Sequence, residues 1–243
     1  MNPAPSGPVG SGNPGGAFPA GPIMVIAAMT PELAPFLDRA TDVSGPTAIG
    51  HAEFWRGRLN EHDAILVRSG IGLVNAASAM TIAAIQHQPR LVVSVGTAGG
   101  IRGRVSIGDV VVGTTFTYST ANAVAFGYQL GQIPGMPVRF ESPVAIVESA
   151  DRLPGVVAGP IASGDVFVAG HLLDAVVADF PDVAAVDMES TALAQVCAGF
   201  GIPFASVRGI SDLCGPAAAD DHRDTVHDVS GRSAQVVHAL LKG

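Results

Sequence analysis

Short apolar runs alternate with stretches of helical period from residue 23 onward. "IMVIAAM" (23–29) carries no charge and predicts a buried strand. "PELAPFLDRA" (31–40) predicts a helix with its proline in the first turn, where no amide donor is needed. "AEFWRGRL" and "DAILVRSG" flank the turn "NEHD" and predict a hairpin. Residues 72–88 predict a helix, and "LVVSVG" (91–96) a continuous apolar strand closing in the Gly-rich turn "GTAGG". Further strands are expected at 105–118, with a bend at Gly108, and at 155–164, 184–186 and 203–210. Helices are expected at 170–180, 189–200 and over much of 221–241. The stretch 119–144 has weak periodicity and several Gly and Pro, which predicts a functional loop. Wholly apolar strands alternating with helices predict one α/β domain, with a mixed, largely parallel central sheet and helices on both faces.

Composition narrows the picture. The first 22 residues are dominated by Pro, Gly, Ser and Ala, lack both a basic and an apolar leader region, and are expected to be a disordered tail; the domain is expected to run from 23 to 243. Of the 243 residues, 48% are hydrophobic and 14% charged, so a large core is available with little charged surface to cover it. No uncharged apolar run reaches the length of a membrane span. Net charge is −8 without any Lys/Arg cluster, which argues against nucleic acid and anionic membranes as partners. Two cysteines, Cys197 and Cys214, form neither a disulfide framework nor a metal-ligand spacing, as suits free thiols in a reducing cytoplasm.

The candidate chemistry is carboxylate chemistry. In "AVDMESTALAQVC", the positions following Glu189 at helical spacing are Ala192, Leu193, Val196, Cys197 and Phe200, so Glu189 lies in line with a buried face. A buried carboxylate is costly unless something answers it. The predicted strand ends also deliver Glu32 after 23–29, Thr97 after 91–96, and Arg208, Ser211 and Asp212 from "RGISD". In such sheets ligands bind beyond the carboxyl ends of the strands, so Glu32, Glu189 and Asp212 predict an acid-lined crevice. Taken alone, Glu32 fits equally an acidic residue of a first helical turn, and Asp212 fits a cap or turn residue. "GIGLVN" has Asn75 where a dinucleotide fingerprint has its third glycine, which excludes a nicotinamide oxidoreductase. Acids without a His/Cys ligand set suit glycosyl transfer, whose transition state resembles an oxocarbenium ion; neither metal nor cofactor is implied.

The ordered blocks "AAMTPE", "SGIGLVNAA", "VGTAGG", "IGDVVV", "AFGYQLGQIPGMP", "SGDVFV", "AVDMES" and "VRGISD" resemble the purine nucleoside phosphorylase/nucleosidase superfamily. Within it they look most like the 5′-methylthioadenosine/S-adenosylhomocysteine nucleosidases. The resemblance runs from about residue 23 to the C-terminus. It implies hydrolysis of the N-glycosidic bond to adenine and a 5′-substituted ribose. By that resemblance Asp212 would protonate N7 of adenine, and Glu32 would activate water with help from Arg208 and Thr97. Glu189 would accept the ribose hydroxyls with Met188 beside the sugar, and Ser211 would be a further substrate-binding residue. Phe167 would stack on adenine, the Val168 backbone would read its edge, and Ile71 would line the 5′ pocket. Phe126 and Pro134 would reach the active site of a neighbouring subunit, implying a homodimer. The chain departs from the pattern at Ser119 and Thr120, where many relatives carry a His-Asp pair near the 5′ pocket, and at Thr97, where many carry serine.

Three other readings compete with this one. Phosphorolysis needs cations for phosphate, yet the first loop offers Glu32 and no arginine. A carboxylate about 4 Å from a phosphate charge costs roughly 4 kcal/mol at an effective dielectric near 20. A hydrolase acting on a modified nucleoside such as futalosine shares the same acids and differs at the 5′ group. A non-catalytic nucleoside-binding protein would have no need of Asp212 as an acid.

Overall fold

The computed structural model describes residues 21–242. The expected tail therefore lies outside the described residues, apart from Gly21 and Pro22. Among the described residues no helix is long and apolar enough to cross a membrane.

A mixed sheet forms the centre. Its first part is β1 (Ile23–Ala27), β2 (Thr41–Ile49), β3 (Ala52–Leu59), β4 (His62–Arg68) and β5 (Leu91–Gly100). The second is β6 (Val110–Tyr118), β7 (Phe140–Glu141), β8 (Val156–Ser163), β9 (Ala185–Asp187) and β10 (Phe204–Asp212). Five pairings are parallel and five antiparallel. β1 alternates: Met24 and Ile26 pack into one core layer, and Ile23, Val25 and Ala27 into another. The first layer is covered by α2 (Leu73–His87) and α5 (Ser190–Phe200), through Ala76, Met80, Leu193 and Cys197. The second is covered by α1 (Thr30–Leu37), α3 (Val144–Ala150) and α6 (Ala218–Leu240), through Phe36, Ala150, Ala234 and Val237. Two buried faces explain why these strands show no polar alternation. α4 (Leu172–Asp179) packs on a third, smaller cluster through Leu173 and Val176.

The mixed α/β sheet with helices on both faces matches expectation, but with half its pairings antiparallel it is not largely parallel, and it also closes on itself. β10, β6, β8, β9 and β5 run in pairing order, and β10 returns to β5, making a five-stranded barrel. The closure turns on β5, which is longer than the predicted 91–96. Its first half pairs with β1 along residues 91–94; residues 99 and 100 pair antiparallel with β9. β10 occupies the opposite edge from 92 to 99. β1 and β9 thus approach each other head to head along one edge of β5, leaving residues 95–98 open between their carboxyl ends.

The glycines read as a turn are strand residues, and the reason is crowding. A Cβ on Gly96 would lie 2.4 Å from Arg208 Nη1 and 2.6 Å from Glu32 Oε1, and one on Gly99 would lie 2.5 Å from Cys214 Sγ. β6 likewise starts at Val110, not at 105, because Gly108 adopts a φ of 92° just before it. In the predicted loop 119–144 the structure has a short 3-10 turn at Val124–Phe126 and β7 at its far end.

Candidate active site

The opening between β1 and β9 is a cavity enclosing about 600 Å³, its mouth included. Ala28, Met29 and Glu32 line it from the β1 end, Thr97, Ala98 and Gly99 from β5, and Asp187, Met188 and Glu189 from the β9 end. Ser211 and Asp212 come from β10, and Val166, Phe167 and Val168 from the loop after β8. The split of one strand's edge between two partners is what brings distant carboxylates together.

Each carboxylate is held by protein donors. Glu32, 2% exposed, sits in the first turn of α1, where its Oε2 accepts the Met29 N–H at 2.9 Å. Its Oε1 accepts the Thr97 N–H at 2.8 Å and the Thr97 hydroxyl at 3.0 Å. Both readings of Glu32 are therefore realised: it caps a helix and faces the cavity. Glu189 caps rather than enters α5, with φ −136° and ψ −39°, and its Oε1 accepts the Gly72 N–H at 2.9 Å. Gly72 is itself the N-cap of α2, so a helix's positive end meets this carboxylate. Burial pushes the Glu189 carboxyl well above the ordinary carboxylate range; Arg208 opposes that shift, and the charges of Asp187 and Glu32 add to it.

Asp212, 1% exposed, ends β10. Its Oδ1 accepts the Cys214 N–H at 2.9 Å and its Oδ2 the Ser211 hydroxyl at 2.9 Å. Cys214 turns back onto the carboxylate through a left-handed backbone, φ 54°. Burial, with the nearby Asp212 charge, pushes the Cys214 thiol up to about 12, so it stays a thiol.

Arg208 departs from expectation. It does not line the cavity but lies behind it, 1% exposed. Its Nε is 2.8 Å from Asp187 Oδ2, and its Nη2 is 4.0 Å from Glu189 Oε2 and bonds the Ser94 hydroxyl at 2.7 Å. Asp187 also accepts from Ser163 and Ser190, so the arginine is pinned by a buried polar network. A guanidinium so buried needs a full set of acceptors: Asp187, from the cavity lining, supplies one, and Ser94, Ser190, Ser206 and the Val95 carbonyl supply the rest from outside it.

Phe167 and Val168 stand on one wall, Phe167 half-exposed and Val168 buried, with half-exposed Ile71 at the mouth. Phe126, 83% exposed, and exposed Pro134 lie outside this chain's cavity. Sequence reading missed His222 of α6, which lines the cavity and lies edge-on to Phe167 with ring centroids 6.3 Å apart. A lone histidine in an acidic, exposed-looking helix start gave no signal.

The decisive comparison is with protein families: residues 22–243 match the model of the phosphorylase superfamily. The chain belongs to that superfamily. Among superfamily relatives, one from Staphylococcus haemolyticus called 5′-methylthioadenosine/S-adenosylhomocysteine nucleosidase is 35% identical over 228 residues, covering 90% of this chain and 99% of the relative. A solved nucleosidase of that name from S. pneumoniae, bound to the transition-state inhibitor MT-ImmA, superposes with a TM-score of 0.86 at 32% identity, covering 90% of this chain and 98% of that one. A native futalosine hydrolase from Helicobacter pylori superposes with a TM-score of 0.84 at 26% identity, covering 90% and 97%.

Proposed function

We propose that this enzyme hydrolyses the N-glycosidic bond of 5′-methylthioadenosine and S-adenosylhomocysteine, releasing adenine and the 5′-substituted ribose. The observation that carries the reading is a cavity with four buried carboxylates, Glu32, Asp187, Glu189 and Asp212, around an apolar slot. Among the described residues no Lys or Arg lines it, so a phosphate would meet acids and no cation. Water is the acceptor that such a site favours. The relatives carrying the nucleosidase name support the same substrate class over the futalosine reading, which rests on a neighbour of lower identity.

In this mechanism adenine lies against Phe167, with its edge at the Val168 backbone. Asp212 gives its proton to N7 as the bond from C1′ to N9 breaks. Glu189 accepts from the ribose hydroxyls through Oε2, the oxygen that the Gly72 amide leaves available, and Met188 packs beside the sugar. Glu32 Oε1 has both lone pairs engaged by Thr97, whereas Oε2 accepts only the Met29 N–H and retains one. Oε2 can therefore hold a water, take one of its protons, and direct the oxygen to C1′ as positive charge develops there. Arg208 contributes from behind, as the fixed counter-charge that keeps Asp187 and Glu189 in place. Ile71 faces the 5′ substituent. We further infer a homodimer in which Phe126 and Pro134 of a second copy close the 5′ end of the pocket, and a cytoplasmic setting suited to two free, buried thiols.

The test is adenine release from 5′-methylthioadenosine in phosphate-free buffer, repeated with phosphate. Release without phosphate and unchanged by it is expected; release only with phosphate would make the enzyme a phosphorylase. Futalosine as substrate separates the second reading, which predicts faster cleavage of that nucleoside.

A further inference from the structure

His222 stands one hydroxyl away from the proposed acid. Its Nδ1 is 3.1 Å from Ser211 Oγ, and that hydroxyl donates to Asp212 Oδ2 at 2.9 Å. Ser211 Oγ has one hydrogen; its other acceptor in reach, the Ala98 carbonyl, is more distant at 3.4 Å. When the hydroxyl donates to Asp212, its remaining contact with His222 must be one in which Nδ1–H is the donor. The ring is half-buried, held edge-on to Phe167, and placed by α6, whose Thr225 hydroxyl bonds the Ser211 carbonyl at 2.9 Å. Helix and strand end are thus fixed relative to each other where the chain of bonds crosses between them.

We infer that His222 is a positioning residue for protonation of the leaving base: donating to Ser211, it fixes that hydroxyl as a donor to Asp212 Oδ2. The inference rests on the reading of Asp212 as the acid. As Asp212 delivers its proton to N7, its carboxylate gains negative charge. Ser211 meets that charge at Oδ2 and the Cys214 amide meets it at Oδ1. A donor behind the hydroxyl polarises it further, so the bond strengthens as the charge appears. One proton leaves the chain, passing from Asp212 to N7; His222 and Ser211 keep theirs.

Such a role has a signature that packing alone lacks, because it matters only where the leaving group needs a proton. Two substrates separate the cases: 5′-methylthioadenosine, and a p-nitrophenyl 5-methylthioriboside whose phenolate departs unprotonated. For His222→Phe, which keeps an aromatic ring against Phe167, the ratio of kcat on the adenine substrate to kcat on the nitrophenyl one should fall roughly three- to tenfold, the worth of one hydrogen bond. His222→Gln, which can still donate, should restore most of that ratio. In a double-mutant cycle, His222→Phe should add nothing to Ser211→Ala, since the ring acts through that hydroxyl. An unchanged ratio in His222→Phe, or full additivity with Ser211→Ala, would overturn the inference. Asp212→Asn is the reference. If it loses adenine release while His222→Phe keeps the wild-type ratio, only the role of His222 falls. If Asp212→Asn cleaves both substrates normally, the acid assignment falls first and the inference with it.

Discussion

Glu189 and Asp212 are both nearly sealed from water, yet the proposed mechanism asks different things of them. Asp212 sits among donors that suit a carboxylate about to form. Replacing it with Asn removes the transferable proton while keeping its shape, so kcat should fall by roughly 10²–10⁴. The thermal midpoint should stay close to wild type. Near-normal turnover in that variant would remove Asp212 from the mechanism. Glu189 has its carboxyl raised by burial, and the sign of the consequence follows. Its contribution to stability is fully present below the ordinary carboxylate range, and is lost as pH rises from that range through the raised native value. Glu189→Gln cannot ionise, so its stability relative to wild type should increase with pH across that window, as urea denaturation at a series of pH values would read. The same variant should raise KM, because an amide answers ribose hydroxyls less well than a carboxylate.

Elements matter here through their ends. α2 begins at a point where two acids from other parts of the chain meet its amides. Glu189 takes the Gly72 N–H, and Asp165, from the loop carrying Phe167, takes the Leu73 N–H at 2.8 Å. Asp165 thereby caps a helix and tethers one wall of the cavity to its mouth. Asp165→Ala should cost about 1 kcal/mol of stability by loss of the cap. It should also raise KM for the nucleoside more than it lowers kcat, and equal effects on both would argue against the tether. In β5 the limiting feature is space beside Gly96. Gly96→Ala would press on Arg208 and Glu32, so lowered stability and lost activity should appear together, the first on the order of 1–3 kcal/mol as for other overpacked sites.

For the molecule as a whole, exposed apolar side chains at the cavity mouth and on the loop beyond it offer a face to a second copy. Ile71 at the mouth is 49% exposed, and Val124 and Phe126, outside this chain's cavity, are 52% and 83% exposed. A second copy covering them would complete the 5′ side of the pocket. Sedimentation should therefore show a dimer, and Phe126→Ala should raise KM for 5′-methylthioadenosine without changing the monomer's fold; a monomer of full activity would refute this.

Much of this was legible beforehand because it is local. Buried strands announce themselves by unbroken apolar runs, and the hairpin 52–68 by its turn. β2 did not, since it is an edge strand with nearly every residue exposed and so no buried face to imprint a period. α3, seven residues after Pro143, is too short to show one. Glu32, Glu189 and Asp212 were legible as a group because each follows an apolar strand, and an acid there is rare enough to notice. The sequence by itself therefore determined the strand and helix alphabet, the acidic character of the crevice and the family to which the chain belongs. Only the tertiary structure decided that β1 and β9 share one edge of β5, that Arg208 lies beneath the cavity floor and not in it, and that His222 stands behind Ser211. Those facts depend on contacts between residues far apart in the chain, and closure of a barrel leaves no period in any one segment.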